Sequence, residues 1–335
     1  MTLPSTGSIS MSQVNVELDR SATAQISLSE SAVRELFGKA SGAIGMSDGR
    51  GKSSVFKFNI SGSLVDVDIR NAALAAGWNG TAQVEATIVS GAVMNASFND
   101  AVRIHSSFPN GVTLINNGII AGRGGNGGAG GTARGDQQIA YGGASGGAGG
   151  TGLATTVPVT IFNNGTIAGG GGGGGGGGST IANQYTSNCN KEGCFTVLRR
   201  QAAAGGGGGG AGRSNNFGSS GGAAGGRVRG STSSIGNIDI LREAAGGGGA
   251  NLNTNGGGGL RGEERDPGDV HAQGGDGGAG GFWGAAGANG SGSAFANTGP
   301  VTSGGGPGGA GGLAVWGNDK ITWGATGTRY GGIAA

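Results

Sequence analysis

The sequence predicts a mostly β and irregular protein, with short N-terminal helices, a small β-layer, and then a bundle of polyglycine-II helices that carries variable loops. Of the 335 residues, 86 are glycine and only 5% are aromatic, which leaves little material for one conventional core. Between residues 122 and 178, two glycines and one small residue recur in threes. A period of three fits neither an α-helix nor a β-strand, but it fits an extended helix with three residues per turn.

Such glycine helices must pack together to be stable. Ordering a residue costs roughly 1–2 kcal/mol, and a net backbone hydrogen bond returns only about 0.5–1.5 kcal/mol. Segments packed side by side can bond to one another through the main chain, so a bundle is expected. The count of 6 prolines argues against a collagen triple helix. A disordered glycine-rich linker is the competing interpretation, but a linker requires neither the period nor the strands that precede it.

Composition and charge argue against several classes of protein. A net charge of +2 does not favour a nucleic-acid-binding surface. The sequence has no long apolar run and no N-terminal pattern of a secretory signal peptide, so we expect synthesis without a signal peptide. Cys189 and Cys194 lie within one predicted loop, and either a small disulfide or two reduced thiols is compatible with the sequence.

Residues 1–53 are predicted to form a helical docking segment. Ser10 and Gln13 have capping-box spacing before a first short helix. Ser29 is the predicted N-cap of a second helix, which Gly38 ends. Two helices this short bury little apolar surface, so we expect the segment to dock on a partner. The apolar residues assigned to this fibre-docking face are Met11, Val14, Leu18, Val33, Leu36 and Phe37.

Residues 54–121 are predicted to form a β-rich attachment or connecting domain. Its aliphatic runs are separated by Gly and Asn turns, as in β-strands. These runs cover residues 55–60, 64–69 and 84–88.

An internal repeat links this β-region to the glycine runs. Residues 112–122 read VTLINNGIIAG, and residues 159–169 read VTIFNNGTIAG. Each copy is predicted to be a strand, a turn and a short strand that lead into a glycine run. Near the C-terminus, residues 314–323 are predicted to form a hairpin around Gly317–Asp319, with Trp316 and Trp323 as structural plugs.

Residues 122–335 are predicted to be a glycine-rich polyglycine-II domain that binds a receptor. Beyond residue 178, glycine runs alternate with loops of differing chemistry, and a uniform scaffold with varied loops is typical of a recognition protein. Aromatic and arginine side chains dominate binding hot spots. The candidate receptor-binding residues are therefore Tyr185, Phe195, Arg199, Arg200, Phe217, Arg229, Arg242 and Trp283.

We find no pattern that predicts catalysis. Neither His105 nor His271 has a second histidine or a cysteine at metal-ligand spacing. The charged stretch 260–273 interleaves arginines with carboxylates, which favours a solvated loop over a cation site. The glycines have no βαβ unit around them, so a dinucleotide site is not expected. The expectation is a protein that is not an enzyme and has no catalytic residues, no metal and no cofactor.

The glycine motifs carry a resemblance to a known family. The segment IIAGRGGNGG at 119–128, and NNGTIA at 163–168 followed by the ten-glycine run 169–178, resemble the distal tail-fibre adhesins of T-even-type bacteriophages. The resemblance covers roughly residues 54–335. It implies a sandwich of polyglycine-II helices at the tip of a trimeric fibre. The loops that it implies for receptor binding are 179–204, 213–220, 227–245, 250–255, 260–273 and 282–303.

The partners follow from the same resemblance. It implies attachment to a phage tail-fibre or tail-tip protein, a trimer, through the N-terminal region. It also implies recognition of a bacterial outer-membrane protein or surface glycan, and a place in the virion tail after synthesis in the host cytoplasm. Residues 1–53 resemble segments of other phage tail proteins instead. A tail-fibre assembly chaperone and a structural tail component are the alternative functions, and a chaperone would be absent from purified virions.

Overall fold

The computed structural model describes residues 3–18, 20–80, 82–98, 100–134, 139–191, 193–209, 227–228, 241–242, 257–261, 263–265, 271–296 and 300–335. Most of the regular structure is β, as the sequence predicts. The helices are α1 Met11–Glu17, α2 Ser31–Phe37 and α3 Ile69–Ala75, with short 3-10 helices at Met46–Gly49 and Asn318–Lys320. The strands are β1 Val55–Ile60, β2 Ser63–Val65, β3 Val67–Asp68, β4 Gln83–Ile88, β5 Val93–Asn95, β6 Asp100–Ile104, β7 Val112–Asn116, β8 Ile119–Ala121, β9 Ala133–Arg134, β10 Ile139–Ala140, β11 Thr151–Thr155, β12 Val159–Asn163, β13 Thr166–Ala168, β14 Thr180–Asn190, β15 Gly193–Ala203, β16 Arg227–Val228, β17 Leu241–Arg242, β18 Glu263–Arg265, β19 His271–Gln273, β20 Ala294–Ala296, β21 Val301–Thr302, β22 Leu313–Trp316, β23 Ile321–Ala325, β24 Thr328–Tyr330 and β25 Gly332–Ala334.

The two N-terminal helices form where the sequence predicts them. The capping box of α1 is confirmed, because the Gln13 N–H donates to Ser10 Oγ and the Ser10 N–H donates to Gln13 Oε1. Gly38 ends α2 in the left-handed conformation, also as predicted. The predicted N-cap Ser29 is wrong: its hydroxyl bonds to Ser27, and Glu30 is the capping residue.

The N-terminal segment has a small core of its own. Val14, Val33, Leu36 and Phe37 are buried there together with Leu3. Met11 and Leu18 are partly buried. Four of the six residues assigned to the docking face therefore pack inside the segment. The buried carboxylate of Glu17 accepts bonds from the Ser53 hydroxyl and the Ser54 N–H, which connects α1 to the residues just before β1.

Three five-stranded parallel sheets form a three-sided β-solenoid. The first sheet has the order β1-β4-β7-β12-β23, the second β2-β5-β8-β13-β24, and the third β3-β6-β11-β22-β25. Each coil of the chain gives one strand to each sheet in turn, so the fifteen strands make five coils. Aliphatic side chains from all three sheets fill one continuous core.

The internal repeat occupies successive coils of this solenoid. Thr160 pairs with Thr113 in the first sheet, and Ile167 pairs with Ile120 in the second. The β-unit also takes in strands between residues 151 and 168 and between 313 and 334. The predicted β-domain, which ends at residue 121, is therefore too short. Strands far apart in sequence complete its sheets.

Two local predictions in the β-region are wrong. Ile69 opens helix α3 instead of ending a strand, because Asp68 Oδ1 caps the helix by accepting the Asn71 N–H at 2.9 Å. The C-terminal hairpin does not form, since β22 and β23 lie in different sheets. Trp323 is half-buried, whereas Trp316 is 41% exposed and is not a plug.

The glycine runs leave the solenoid at one corner, between the second and the third sheet. Residues 122–150 form an excursion in the third coil, and residues 169–312 form another in the fourth. The described parts of these excursions are extended segments that bond to one another through the backbone. N–H groups of Gly125, Gly128 and Gly131 donate to Gly171, Gly174 and Gly177, so the bonds recur at every third residue.

We call these bonded segments, between residues 122 and 150 and between 169 and 312, the slab. The ten-glycine run 169–178 is its centre. Within the part of the chain that the structure describes, it bonds to six neighbouring segments, which are 122–131, 142–150, 204–209, 274–281, 285–291 and 304–312. A Cβ atom at Gly173 would overlap the Asn126 carbonyl, and one at Gly174 would overlap the Gly278 carbonyl. A segment surrounded on all sides has no room for a side chain, which explains why all ten residues of this run are glycine.

Candidate functional site at the far end of the slab

The slab has two ends with different surroundings. The solenoid end lies at Gly169, next to the last coil, where the Gly169 N–H donates to the Tyr330 carbonyl at 2.8 Å. The far end lies at Gly178. The Gly178 carbonyl accepts the Gly275 N–H at 2.7 Å, and the Gly178 N–H donates to Ser291 at 3.0 Å. Chain connections that meet Gly178 are thus separated from the solenoid by the whole length of the central run.

Two serines join the connections at the far end. The buried Ser179 hydroxyl donates to the carbonyls of Thr132 and Tyr141, at 2.7 and 2.9 Å. The Ser303 hydroxyl bonds to the Tyr141 carbonyl at 2.7 Å, and its oxygen accepts the Ser179 N–H at 2.8 Å. Three segments that are distant in sequence are therefore fixed at the point where they leave the slab.

The longest element at the far end is the hairpin β14–β15. Its strands pair over eleven positions, and β21 adds a third strand only at Thr180 and Ile181. Gly193, at a φ of 140°, pairs with Asn190 beside the turn, in a conformation that favours glycine. Cys189 and Cys194 are directly opposite one another and form a disulfide.

Four of the predicted receptor-binding residues belong to this hairpin. Their positions are on strands and not in a loop, which corrects the expectation of a loop over 179–204. The alternation of polar and apolar residues there is too irregular to identify two strands from sequence. The backbone pairs are Tyr185 with Leu198, Asn188 with Phe195, Gln184 with Arg199 and Asn183 with Arg200.

The other predicted residues are dispersed. Arg242 is on β17, and its backbone lies opposite that of Glu263 in the neighbouring strand β18. Phe217 and Arg229 lie outside the described residues. Trp283 lies at the solenoid end, in a turn whose Gly284 N–H donates to Gly169 at 2.9 Å. Its ring centroid is 5.2 Å from that of Tyr330, so it packs against the last coil of the solenoid.

The far end also exposes residues that the sequence analysis did not select. Leu260 is 63% exposed and Tyr141 is 48% exposed. Arg261 pairs with Asp276 at 2.8 Å, beside β18. The charged stretch 260–273, expected to be a loop, contributes strands β18 and β19. Their position in the sequence could have identified these residues, because each directly adjoins or interrupts a glycine run.

The described residues hold neither a membrane-length apolar helix nor a group of three His, Cys, Asp or Glu residues placed to bind a metal.

Glu30 in the N-terminal segment has a pKa below its usual value, because its carboxylate accepts hydrogen bonds from the Arg20 side chain and the Ser27 N–H.

A family model described as phage tail fibre adhesin Gp38 matches residues 55–334. The chain belongs to this family of phage tail fibre adhesins. It is therefore a receptor-binding adhesin of a tail fibre and a component of the phage tail. The resemblance seen in the glycine motifs is confirmed, and the residues before Val55 lie outside the match, as the resemblance indicated.

The adhesin is also similar to a solved structure, described as the gp37–gp38 adhesin tip complex of the bacteriophage S16 long tail fibre. The two chains are 20% identical, the match covers 90% of the adhesin and 91% of the other chain, and the TM-score is 0.46. No curated protein is a significant match to the adhesin.

Proposed function

We propose that the adhesin recognises a protein or a glycan on the outer membrane of its bacterial host through the far end of the slab, without catalysis. One observation carries this proposal. The described hairpin β14–β15, the β17–β20 sheet and the β9–β10 connection all lie at the far end, whereas the described connection at the solenoid end is the short turn around Trp283. Among the described connections, chemical variety is thus concentrated where the slab is farthest from the solenoid.

The scaffold in this proposal is a sandwich of polyglycine-II helices. The support is the bonding period of three and the six neighbours of the central run. At about 3.1 Å per residue, a ten-residue helix of this kind would separate the two ends by roughly 30 Å. Elements pinned to a stiff block lose less conformational entropy on binding than free loops do.

The receptor contacts in this proposal are the aromatic and arginine residues of the far end. Tyr185, Phe195, Arg199 and Arg200 share one hairpin, and Arg242 lies in the neighbouring sheet. Such residues are the usual anchors of protein interfaces. Trp283 is not among these proposed contacts, because it is at the solenoid end and packs against Tyr330.

Attachment to a trimeric tail-fibre protein is the second part of the proposal, through the N-terminal region and the first coil beside it. The two ends of the solenoid differ in the second sheet, where successive partners run from Leu64 through Met94, Ile120 and Ile167 to Arg329. In the last coil, Arg329 lies 4.9 Å from the Trp323 ring centroid, and both pair with inward-facing residues of the coil before. In the first coil, Leu64 pairs with the buried Met94 yet is 42% exposed. Leu64 thus ends a column of inward-facing apolar residues, and no further coil of the described chain covers it. An exposed apolar surface of this kind is one that a partner can cover.

The recognition proposal is tested by exchanging the far-end elements. Residues 179–204 and 227–245 would be replaced by those of a family member with another host, and adsorption to both hosts would be measured. The expected result is a change of host with unchanged thermal unfolding. Exchange of the Trp283 turn is the matched control and should leave the host unchanged. An unaltered host after the far-end exchange would refute the proposal, and absence of the protein from purified virions would favour an assembly chaperone.

A further inference from the structure

The hairpin β14–β15 extends away from the slab as a two-stranded ribbon. The third strand β21 stops at Ile181. From the pair Asn183–Arg200 to the pair Asn190–Gly193, eight cross-strand pairs have no third strand among the described strands. A two-stranded hairpin with no further packing is marginally stable in water. The buried residues of the base are Ile181, Ala182, Ala202 and Ala203.

The disulfide lies at the opposite end of this ribbon from its packed base. Cys189 and Cys194 are one pair away from the turn, and both are exposed. A cross-link that closes so small a ring removes open conformations of the hairpin tip. In the chain-entropy model this favours the paired ribbon by roughly 10- to 100-fold. The ribbon is thus fixed by packing at one end and by a covalent bond at the other.

We propose that the Cys189–Cys194 pair is a redox switch that orders the ribbon for receptor binding only after the phage has left its host. Disulfides are rare in the reducing cytosol in which a phage tail is assembled, and they persist outside the cell. The adhesin then carries a dithiol and a frayed ribbon during assembly, and a disulfide and an ordered ribbon in the medium. This inference rests on the proposed function, because it assigns the ribbon to receptor contact.

The oxidation requires an external low-molecular-weight disulfide, such as oxidised glutathione. The thiolate of one cysteine attacks it, which forms a mixed disulfide and releases one glutathione thiol. The second cysteine then displaces the second glutathione. Two cysteine thiols are oxidised to one disulfide, and one glutathione disulfide is reduced to two thiols. The exposure of both cysteines gives the oxidant access.

Hydrogen exchange on the full-length adhesin tests whether the disulfide orders the ribbon. Oxidised protein is compared with protein that has been reduced and alkylated, and with the double variant Cys189→Ser, Cys194→Ser. We expect amides of residues 183–200 to exchange at least tenfold faster in the reduced protein and in the variant. Amides of the central run 169–178 should be unchanged in all three samples. Equal protection of 183–200 in the three samples would overturn the proposal.

Binding to whole host cells tests whether this order matters for recognition. We expect the oxidised adhesin to bind at least tenfold more tightly than the reduced one, and the double variant to be insensitive to reductant. Equal binding by oxidised and reduced protein, with different exchange rates, would overturn the link to the receptor. If the oxidised adhesin does not bind host cells, the proposed function fails, whereas the exchange experiment still decides the role of the disulfide.

The timing is tested by alkylating thiols in infected cells before lysis and in released particles. Cys189 and Cys194 should be alkylated in the cells and disulfide-bonded in the particles. A disulfide already complete before lysis would overturn the switch.

Discussion

The side-chain amide of Asn116 donates to Asn163 Oδ1 at 2.8 Å, although the two residues are 47 positions apart. Both are fully buried at the ends of neighbouring strands in the first sheet. Asn163 in turn donates to the Thr326 carbonyl at 2.8 Å in the last coil. This ladder joins three coils at the turn between the first and the second sheet, shortly before the chain enters each glycine excursion.

Replacement of Asn116 by Ala should destabilise the solenoid by about 2–3 kcal/mol, because it leaves Asn163 Oδ1 and the buried Gly118 N–H without their partner. Thermal unfolding followed by circular dichroism measures the loss. Asn117→Ala is the matched control, since Asn117 accepts from Asn164 in an exposed ladder at 3.0 Å and should cost less than about 0.5 kcal/mol. Equal losses from the two variants would contradict this role of the ladder.

The sequence was informative where a structure depends on local signals. The capping box at Ser10, the stop at Gly38 and the repeated strand units were all predictable, because each is specified by neighbouring residues. The solenoid was not, since its parallel sheets join residues such as Ile161 and Trp323 that are far apart in sequence. Helix α3 was missed because Val67 and Ile69 also fit a strand pattern, and the Asp68 cap decides between the two.

The far end was predictable only in outline. The alternation of glycine runs with other residues predicted that varied elements connect the runs. It did not predict which end of the slab each element occupies, because that depends on the direction in which each run crosses the slab. Trp283 follows one run and precedes another, as the hairpin does, yet it lies at the solenoid end. The direction of each run depends on the segments that it bonds to, and these hydrogen bonds join residues far apart in sequence.

Replacement of Gly173 by Ala should destabilise the slab by about 3 kcal/mol or more, because the new Cβ would overlap the Asn126 carbonyl and the segment is enclosed on all sides. Soluble yield and thermal unfolding measure the effect. Gly304→Ala is the control, since a Cβ there meets nothing within 4 Å. Gly304→Ala should be neutral or slightly stabilising, as Ala restricts the unfolded chain. Tolerance of Gly173→Ala would contradict the close packing of the central run.

Replacement of Phe37 by Ala should unfold the N-terminal segment without affecting the solenoid. Phe37 is 2% exposed in a core separate from that of the solenoid, and the loss should be about 3–5 kcal/mol. Limited proteolysis of residues 3–53 should become faster, while the main thermal transition stays unchanged. Val16→Ala, at a position that is 38% exposed, is the control and should leave proteolysis unchanged. A shift of the main transition by Phe37→Ala would mean that the two cores unfold together.

Acidification should loosen the N-terminal segment through Glu30. Bonds from Arg20 and Ser27 lower the pKa of Glu30 in the folded state. A carboxyl group with a lowered pKa stabilises the fold above its unfolded pKa, and this contribution is lost as the pH falls through the folded value. Hydrogen-exchange protection of residues 20–37 should therefore decrease in acid. Glu30→Gln, which cannot ionise, should show lower protection that varies less with pH; the same pH dependence in both proteins would exclude Glu30 as the cause.

Leu64 and Ile333 provide a matched test of which end of the solenoid attaches to the tail fibre, since each is 42% exposed on an edge strand of a terminal coil. Leu64→Lys should weaken binding of the adhesin to fibres that lack it by at least tenfold, because a charge would enter the apolar column left open at the first coil. Ile333→Lys should leave binding unchanged, because the last coil lies at the opposite end of the solenoid from the proposed attachment surface. Both variants should keep the thermal unfolding of the parent, since both positions are exposed. Loss of attachment by Ile333→Lys with retention by Leu64→Lys would reverse the orientation of the adhesin on its fibre.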